Sequence, residues 1–142
     1  MNNVQLIFPM LALVLLTCAV AVTMLRRRIA AARSKKVQIK EFAVNQFNDE
    51  APLNMLQAGR NYANLFEMTT IFYAVCVATM AVNLTDTVMV VLAWLYVAAR
   101  YLHSYIHLGA NRIVHRLRAF ALSMFVVLGM WIWLGLRAGG VV

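Results

Sequence analysis

The sequence predicts an all-α integral membrane protein built as a four-helix bundle, and three observations carry that expectation. The first is composition: of 142 residues, 63% are hydrophobic and only 13% are charged, with a mean hydropathy of +0.74. That balance belongs to a chain whose solvent is lipid. The second is the presence of four apolar runs, each long enough to cross a bilayer. The third is the placement of charge: seven of the thirteen basic residues lie between Arg26 and Lys40, directly after the first run. The length suits one domain, 1–142, with spans at about 4–25, 52–82, 87–107 and 113–136 and a basic loop over 26–51.

The first run, Val4 to Leu25, has no basic stretch before it and its positive charges follow it. This order reads as an uncleaved span with its N-terminus outside. The basic cluster is then a topogenic cytoplasmic loop in contact with anionic headgroups. A net charge of +8 would point to nucleic acid in a soluble chain. Here no interleaved aromatic and basic pattern accompanies it, and no nucleic-acid partner is expected. Lys35 to Asn48 is polar and reads as a mobile, partly helical stretch.

The second run starts at Pro52, placed in a first helical turn where its missing N–H costs nothing, with Asp49 and Glu50 near the positive helix end. A helix from there to Val82 is roughly 45 Å long against a ~30 Å hydrocarbon core, so its first turns stand in the interface. Asn83 to Asp86 forms a short turn. The third span runs to about His107, with Gly109 in "LGANR" as the stop after it, and the fourth closes near Leu136. With the N-terminus outside, the first and third loops are cytoplasmic, and Arg112, Arg116 and Arg118 sit by the third. Both termini fall on the non-cytoplasmic side, and Arg137 at the outer end reads as an interfacial anchor. An uncleaved, compact set of spans fits a bacterial inner membrane best, with an intracellular eukaryotic membrane as the alternative.

Cys18 and Cys76 lie in apolar runs and read as packing residues, without a disulfide framework. The nine methionines read as bundle filler. Trp94, Trp131, Trp133, Tyr96 and Tyr101 read as belt or packing aromatics.

Ionisable residues inside a span cost about 2.5–3.5 kcal/mol at a helix centre and usually pair or mark function. Arg60, Asn64 and Glu67 have spacings of four and three, which puts them on one helix face. Arg100, His103 and His107 repeat the arrangement on the third span, and Arg112 and Arg116 open the fourth, with His115 on another face. Span two begins, span three ends and span four begins at the same membrane side, so the three polar faces meet at one depth. The result is a cationic pocket with one carboxylate, suited to a small anionic ligand that also carries an amine. A structural alternative stays open, in which Arg60 and Glu67 form an internal ion pair and Arg100 and His103 reach to the headgroups. No metal site is expected, because His103 and His107 lack a third ligand of suitable type. A proton path is disfavoured, since nothing ionisable continues outward along spans two to four.

The stretch "RNYANLFE" followed by "FYA", and then "ARYLHSYIHLGANRIVHRLRAF", resembles the membrane-associated proteins of eicosanoid and glutathione metabolism, the MAPEG family. Its members include microsomal glutathione transferases and prostaglandin E synthase. The resemblance covers roughly residues 50 to 125. It implies a homotrimer, with glutathione as co-substrate held between subunits near the cytoplasmic side. It further implies a transferase or peroxidase acting on a lipophilic electrophile.

By position, the resemblance gives Arg60, Asn64, Glu67, Arg100, His103, His107 and Arg112 to glutathione binding and Arg116 to catalysis. His107 stands where some members have a ligand-contacting tyrosine. Ala63, Leu117 and Phe120 stand where some members have an arginine, a serine and a tyrosine. Ser104 and Tyr105 are the nearby hydroxyls that can substitute, and Tyr62 lies near the same face. These departures leave a second expectation beside the first: a non-catalytic trimeric membrane protein with a pocket for an anion or lipid headgroup.

Overall fold

A computed structural model of the chain describes residues 3–141, so 1, 2 and 142 of the expected domain lie outside the described residues. A single 3₁₀ turn, Asn3–Leu6, leads into α1 (Ile7–Arg33). There follow a short α2 (Ile39–Val44), then α3 (Leu53–Ala81), α4 (Thr87–Leu108) and α5 (Ile113–Ala138). Four of these helices are long and apolar enough to cross a membrane. The chain is a multi-pass integral membrane protein.

Two boundaries differ from the sequence expectation. α1 does not stop near Leu25 but runs on through Arg26, Arg27 and Arg28 to Arg33. Alanine and arginine are strong helix formers, and hydropathy marks where a helix leaves lipid rather than where it ends. The rest of the basic loop is packed. Ala31, Val37, Ala51 and Met55 form a small buried cluster, joined by Phe42, Phe47 and Leu56. The Arg28 guanidinium lies 5.7 Å from the Phe42 ring centroid and donates to Asn45 Oδ1 at 3.3 Å. At the start of α3, Pro52 is the cap in extended conformation rather than a first-turn residue.

Helix ends follow their local chemistry. Lys35, Asn45, Asn83 and Asn111 adopt left-handed backbone angles, and three of the four are asparagine, the non-glycine residue that tolerates them best. Each sits at or just past a helix end. Asp86 caps α4 through Oδ1, which accepts from Met89 N at 2.8 Å. Its Oδ2 accepts from Trp133 Nε1 at 2.9 Å and pairs with Arg137 Nε at 3.4 Å. Arg137 therefore ties the end of α5 to the start of α4 instead of serving only as a lipid anchor. α4 and α5 run antiparallel with similar lengths, which brings those distant residues level.

α4 packs most extensively on α5, α1 packs on α3, and α3 also meets both α4 and α5. The core between them includes Leu13, Leu65, Phe72, Met89, Tyr96 and Met130. Tyr96 stacks on Phe72 with centroids 4.5 Å apart and donates to Met68 O at 3.0 Å. Tyr101 donates to Ala12 O at 2.9 Å, so both tyrosines are packing residues. Cys76 is buried, but Cys18 is exposed on α1 and does not pack inside the chain. Leu15, Val91, Trp94, Phe125 and Leu128 lie on the outward faces, as a lipid-solvated bundle requires.

Candidate functional site

The polar faces of α3, α4 and α5 do meet. A cleft of about 470 Å³ is lined by Arg60, Ala63, Asn64, Glu67, His103, His107, Ile113, Arg116, Leu117 and Phe120. This volume falls within the usual range for small-molecule sites. Six of the eight residues assigned by resemblance line it: Arg60, Asn64 and Glu67 from α3, His103 and His107 from α4, and Arg116 from α5. All three departures, Ala63, Leu117 and Phe120, line it as well, and together with Ile113 they make its apolar wall.

Arg100 and Arg112 lie elsewhere. Arg100 is fully buried, at 0% exposure, behind the cleft rather than in it. Its Nη2 donates to Asn64 Oδ1 at 2.7 Å, with the Asn64 carbonyl at 3.4 Å. The Asn64 amide is thereby oriented: with its oxygen held by Arg100, its NH₂ is the group left for the cleft. Spacing gave the correct azimuth for Arg100, but not the fact that α3 covers it. Arg112 is the residue before α5 and has extended angles, so the four-residue spacing to Arg116 does not put them on one face. It lines a separate notch with His115, Tyr105 and Gly109, and so shares a surface with His115 after all.

The structural alternative fails on the same facts. Among the described residues neither an ion pair nor a hydrogen bond joins Arg60 to Glu67. Arg100 and His103 are buried rather than extended to headgroups. A carboxylate and a guanidinium on one cleft wall, unpaired with each other, keep their hydrogen-bonding capacity for a ligand.

The histidines are held differently. His103 Nδ1 lies 3.1 Å from the Arg116 carbonyl. A carbonyl can only accept, so Nδ1 carries the hydrogen and Nε2 keeps its lone pair. Nε2 of His103 and both ring nitrogens of His107 are buried without a partner in the chain. The two rings meet edge to face with centroids 5.5 Å apart. Arg116 is steered by a residue the sequence reading missed: its Nη1 donates to Asn111 Oδ1 at 2.7 Å, from the turn before α5.

No hydroxyl lines the cleft. Ser104 is buried and donates to Asn61 Oδ1 at 3.2 Å, a contact between α4 and α3 outside the lining. Tyr105 is 79% exposed and faces the notch by Arg112. Successive helical residues turn by ~100°, so neighbours of His103 in sequence cannot share its face. Tyr62 packs its ring edge against Phe66 at 4.8 Å. Arg27 of α1 completes the end of the bundle, donating to Asn54 O at 2.8 Å and to Leu108 O at 3.0 Å. It thereby pins the last turn of α4, where His107 sits. Among the described residues no group of three or more metal-ligating side chains occurs.

The sequence profile of one family fits this arrangement over nearly the whole chain, matching residues 6–136. The chain belongs to the MAPEG family. It is thus a membrane protein of a family of glutathione and eicosanoid metabolism, and the MAPEG four-helix plan accounts for α1, α3, α4 and α5. No curated protein and no solved structure matches the chain. Within this MAPEG protein the cleft described above brings together residues from all three polar faces.

Proposed function

We propose that the chain is a glutathione transferase of the membrane, using glutathione as co-substrate to conjugate a lipophilic electrophile, with peroxide reduction as a variant of the same site. The observation that carries this reading is the composition of the cleft. With the histidines neutral, the lining has two cations, Arg60 and Arg116, and one anion, Glu67, for a net charge of 2 − 1 = +1. Glutathione near neutral pH has two carboxylates and one ammonium, for a net charge of −1. The arginines match the carboxylates and Glu67 matches the amine. Ile113, Leu117 and Phe120 provide an apolar wall from which a lipid-soluble partner can reach the thiol.

The orientation follows from the basic residues. The cleft and the Arg26–Lys40 stretch share one end of the bundle, which the positive-inside rule puts in the cytoplasm, with both termini outside. A concavity of about 610 Å³ lined by Arg26, Arg27, Ser34 and Lys36 supports contact with anionic headgroups there. A homotrimer in a bacterial inner membrane completes the proposal, with the open side of the cleft closed by a neighbouring copy.

A second reading, a non-catalytic trimer with a pocket for an anion or headgroup, is favoured by one observation: the absence of a hydroxyl from the lining. Calorimetric titration of glutathione into the purified protein and its Arg60→Ala variant tests the binding. The transferase reading expects saturable binding, lost in the variant, and conjugation that disappears in Arg116→Ala. Binding without turnover favours the second reading, and no binding to the wild type ends the first.

A further inference from the structure

If glutathione occupies the cleft, its thiol must lose a proton before sulfur can attack carbon. The usual device, a hydroxyl donor or acceptor beside the sulfur, is missing from this lining. The lining offers three groups able to take a proton: Glu67, His103 and His107. Glu67 is exposed on α3 and is matched to the ligand's amine. His103 keeps a lone pair on Nε2, but its Nδ1–H is spent on the Arg116 carbonyl, and that bond fixes the ring between α4 and α5.

His107 lines the cleft as they do and is as buried as His103, at 5% exposure, but neither of its ring nitrogens has a partner among the described residues. It lies in the last turn of α4, where the negative end of the helix favours a cation. The charged and titratable groups around it are Arg60 and Glu67 on α3, Arg100 and His103 on α4, Arg116 on α5 and Arg27 of α1 on the neighbouring Leu108 carbonyl. Those cations oppose an isolated imidazolium. They favour a thiolate beside them, and moving a proton from sulfur to His107 leaves the net charge of the cleft unchanged.

We propose that His107 is the acid–base residue of the site, accepting the thiol proton and returning it to the product; the inference rests on the reading of the cleft as a glutathione site. In addition to an activated alkene, the S–H bond breaks, the proton passes to a His107 ring nitrogen and both electrons stay on sulfur. The sulfur lone pair forms the S–C bond at the β-carbon while the π pair of the alkene moves toward its carbonyl. The resulting enolate takes the proton back from the imidazolium. The sum is addition of S–H across C=C, with no oxidant or reductant consumed.

The test uses the full-length protein in detergent or nanodiscs, with an α,β-unsaturated ketone as electrophile. The ultraviolet absorbance of bound thiolate is followed against pH in wild type, His107→Gln and His103→Gln. His107→Gln is expected to raise the midpoint of thiolate formation by about one pH unit and to lower kcat roughly 10²-fold, the usual weight of general acid–base catalysis. Binding of S-methylglutathione, which has no thiol proton, is expected to persist in that variant and reports an intact cleft. His103→Gln, whose amide can still donate to the Arg116 carbonyl, is expected to change KM and leave the midpoint in place. An unshifted midpoint and rate in His107→Gln, or a shift found in His103→Gln instead, overturns the proposal. Failure of wild type to bind either glutathione or S-methylglutathione removes the glutathione reading itself, and the acid–base role with it.

Discussion

Arg100 is a buried cation with too few acceptors, and replacing it by methionine separates stability from binding. Its side chain is fully enclosed, and its one close partner is the neutral Asn64 amide oxygen at 2.7 Å. Nε and Nη1 have no acceptor. Each buried unsatisfied donor costs about 1–3 kcal/mol, while the bond to Asn64 returns about 1.5–3 kcal/mol as a hydrogen bond to a charged group. Methionine removes both unsatisfied donors and fills most of the same volume. The oxygen it frees on Asn64 is half-buried at the cleft wall, where water can reach it. Arg100→Met is therefore expected to stabilise the bundle by about 1–3 kcal/mol, the range seen when buried ions give way to apolar residues.

For a chain of this size such a gain raises Tm by roughly 2–4 °C per kcal/mol. Glutathione affinity should fall at the same time, by about tenfold, because the Asn64 amide loses its orientation and the cleft loses a nearby cation. Thermal unfolding in a mild detergent and calorimetry on the same sample read the two effects. The converse change, Asn64→Leu, leaves the guanidinium without its close acceptor and should cost about 3–5 kcal/mol. A clear drop in Tm for Arg100→Met would refute the reasoning, since it would mean that the guanidinium finds an acid in the assembled protein.

Arg116→Ala should weaken glutathione binding by about 10–100-fold, the loss of a charge-assisted contact, whereas Arg112→Ala should leave the calorimetric isotherm unchanged, because Arg112 lies in the separate notch. Asp86→Ala removes a helix cap and the acceptor for Trp133 Nε1, and should cost about 2 kcal/mol in thermal unfolding while leaving glutathione affinity intact, some 24 Å away along α4. Arg27→Ala deletes the two bonds from that side chain to Asn54 O and Leu108 O; amide exchange should rise in the α4–α5 turn, with a stability loss of about 2 kcal/mol. Glu67→Gln should weaken glutathione binding about tenfold and strengthen inorganic phosphate binding, measured by competition.

Much of this was legible because helical spacing is rigid. Residues three and four apart share a face whatever the tertiary context, and four spans alternating across a bilayer bring the start of α3, the end of α4 and the start of α5 to one side. Those two constraints alone put Arg60, Asn64, Glu67, His103, His107 and Arg116 together. Spacing gives an azimuth, however, and says nothing of what packs over it, which is why Arg100 could not be told from its neighbours. It also fails outside helices, where Arg112 sits with extended angles. The Asp86–Arg137 pair spans two helices of matched length, and its signal was available in the lengths of α4 and α5. Asn111 left no such signal: it steers Arg116 from a turn whose left-handed asparagine reads only as a helix stop.

Glu67 decides how the cleft should be understood. A pocket that only attracts phosphate gains nothing from a carboxylate on its wall, since like charges oppose the ligand at short range. In this chain that carboxylate shares the cleft with Arg60 and Arg116 and is not tied to Arg60 by an ion pair. An arginine left free by such an arrangement retains its full fork for a ligand carboxylate, and the free carboxylate retains its acceptors for an ammonium. Under the proposed function, charges of both signs, separated along α3 by two turns and unpaired among the described residues, suit a zwitterionic ligand long enough to reach both. A γ-linked tripeptide with an amine and a carboxylate at one end and a second carboxylate at the other meets that requirement. A lone phosphate, with no ammonium, meets only half of it.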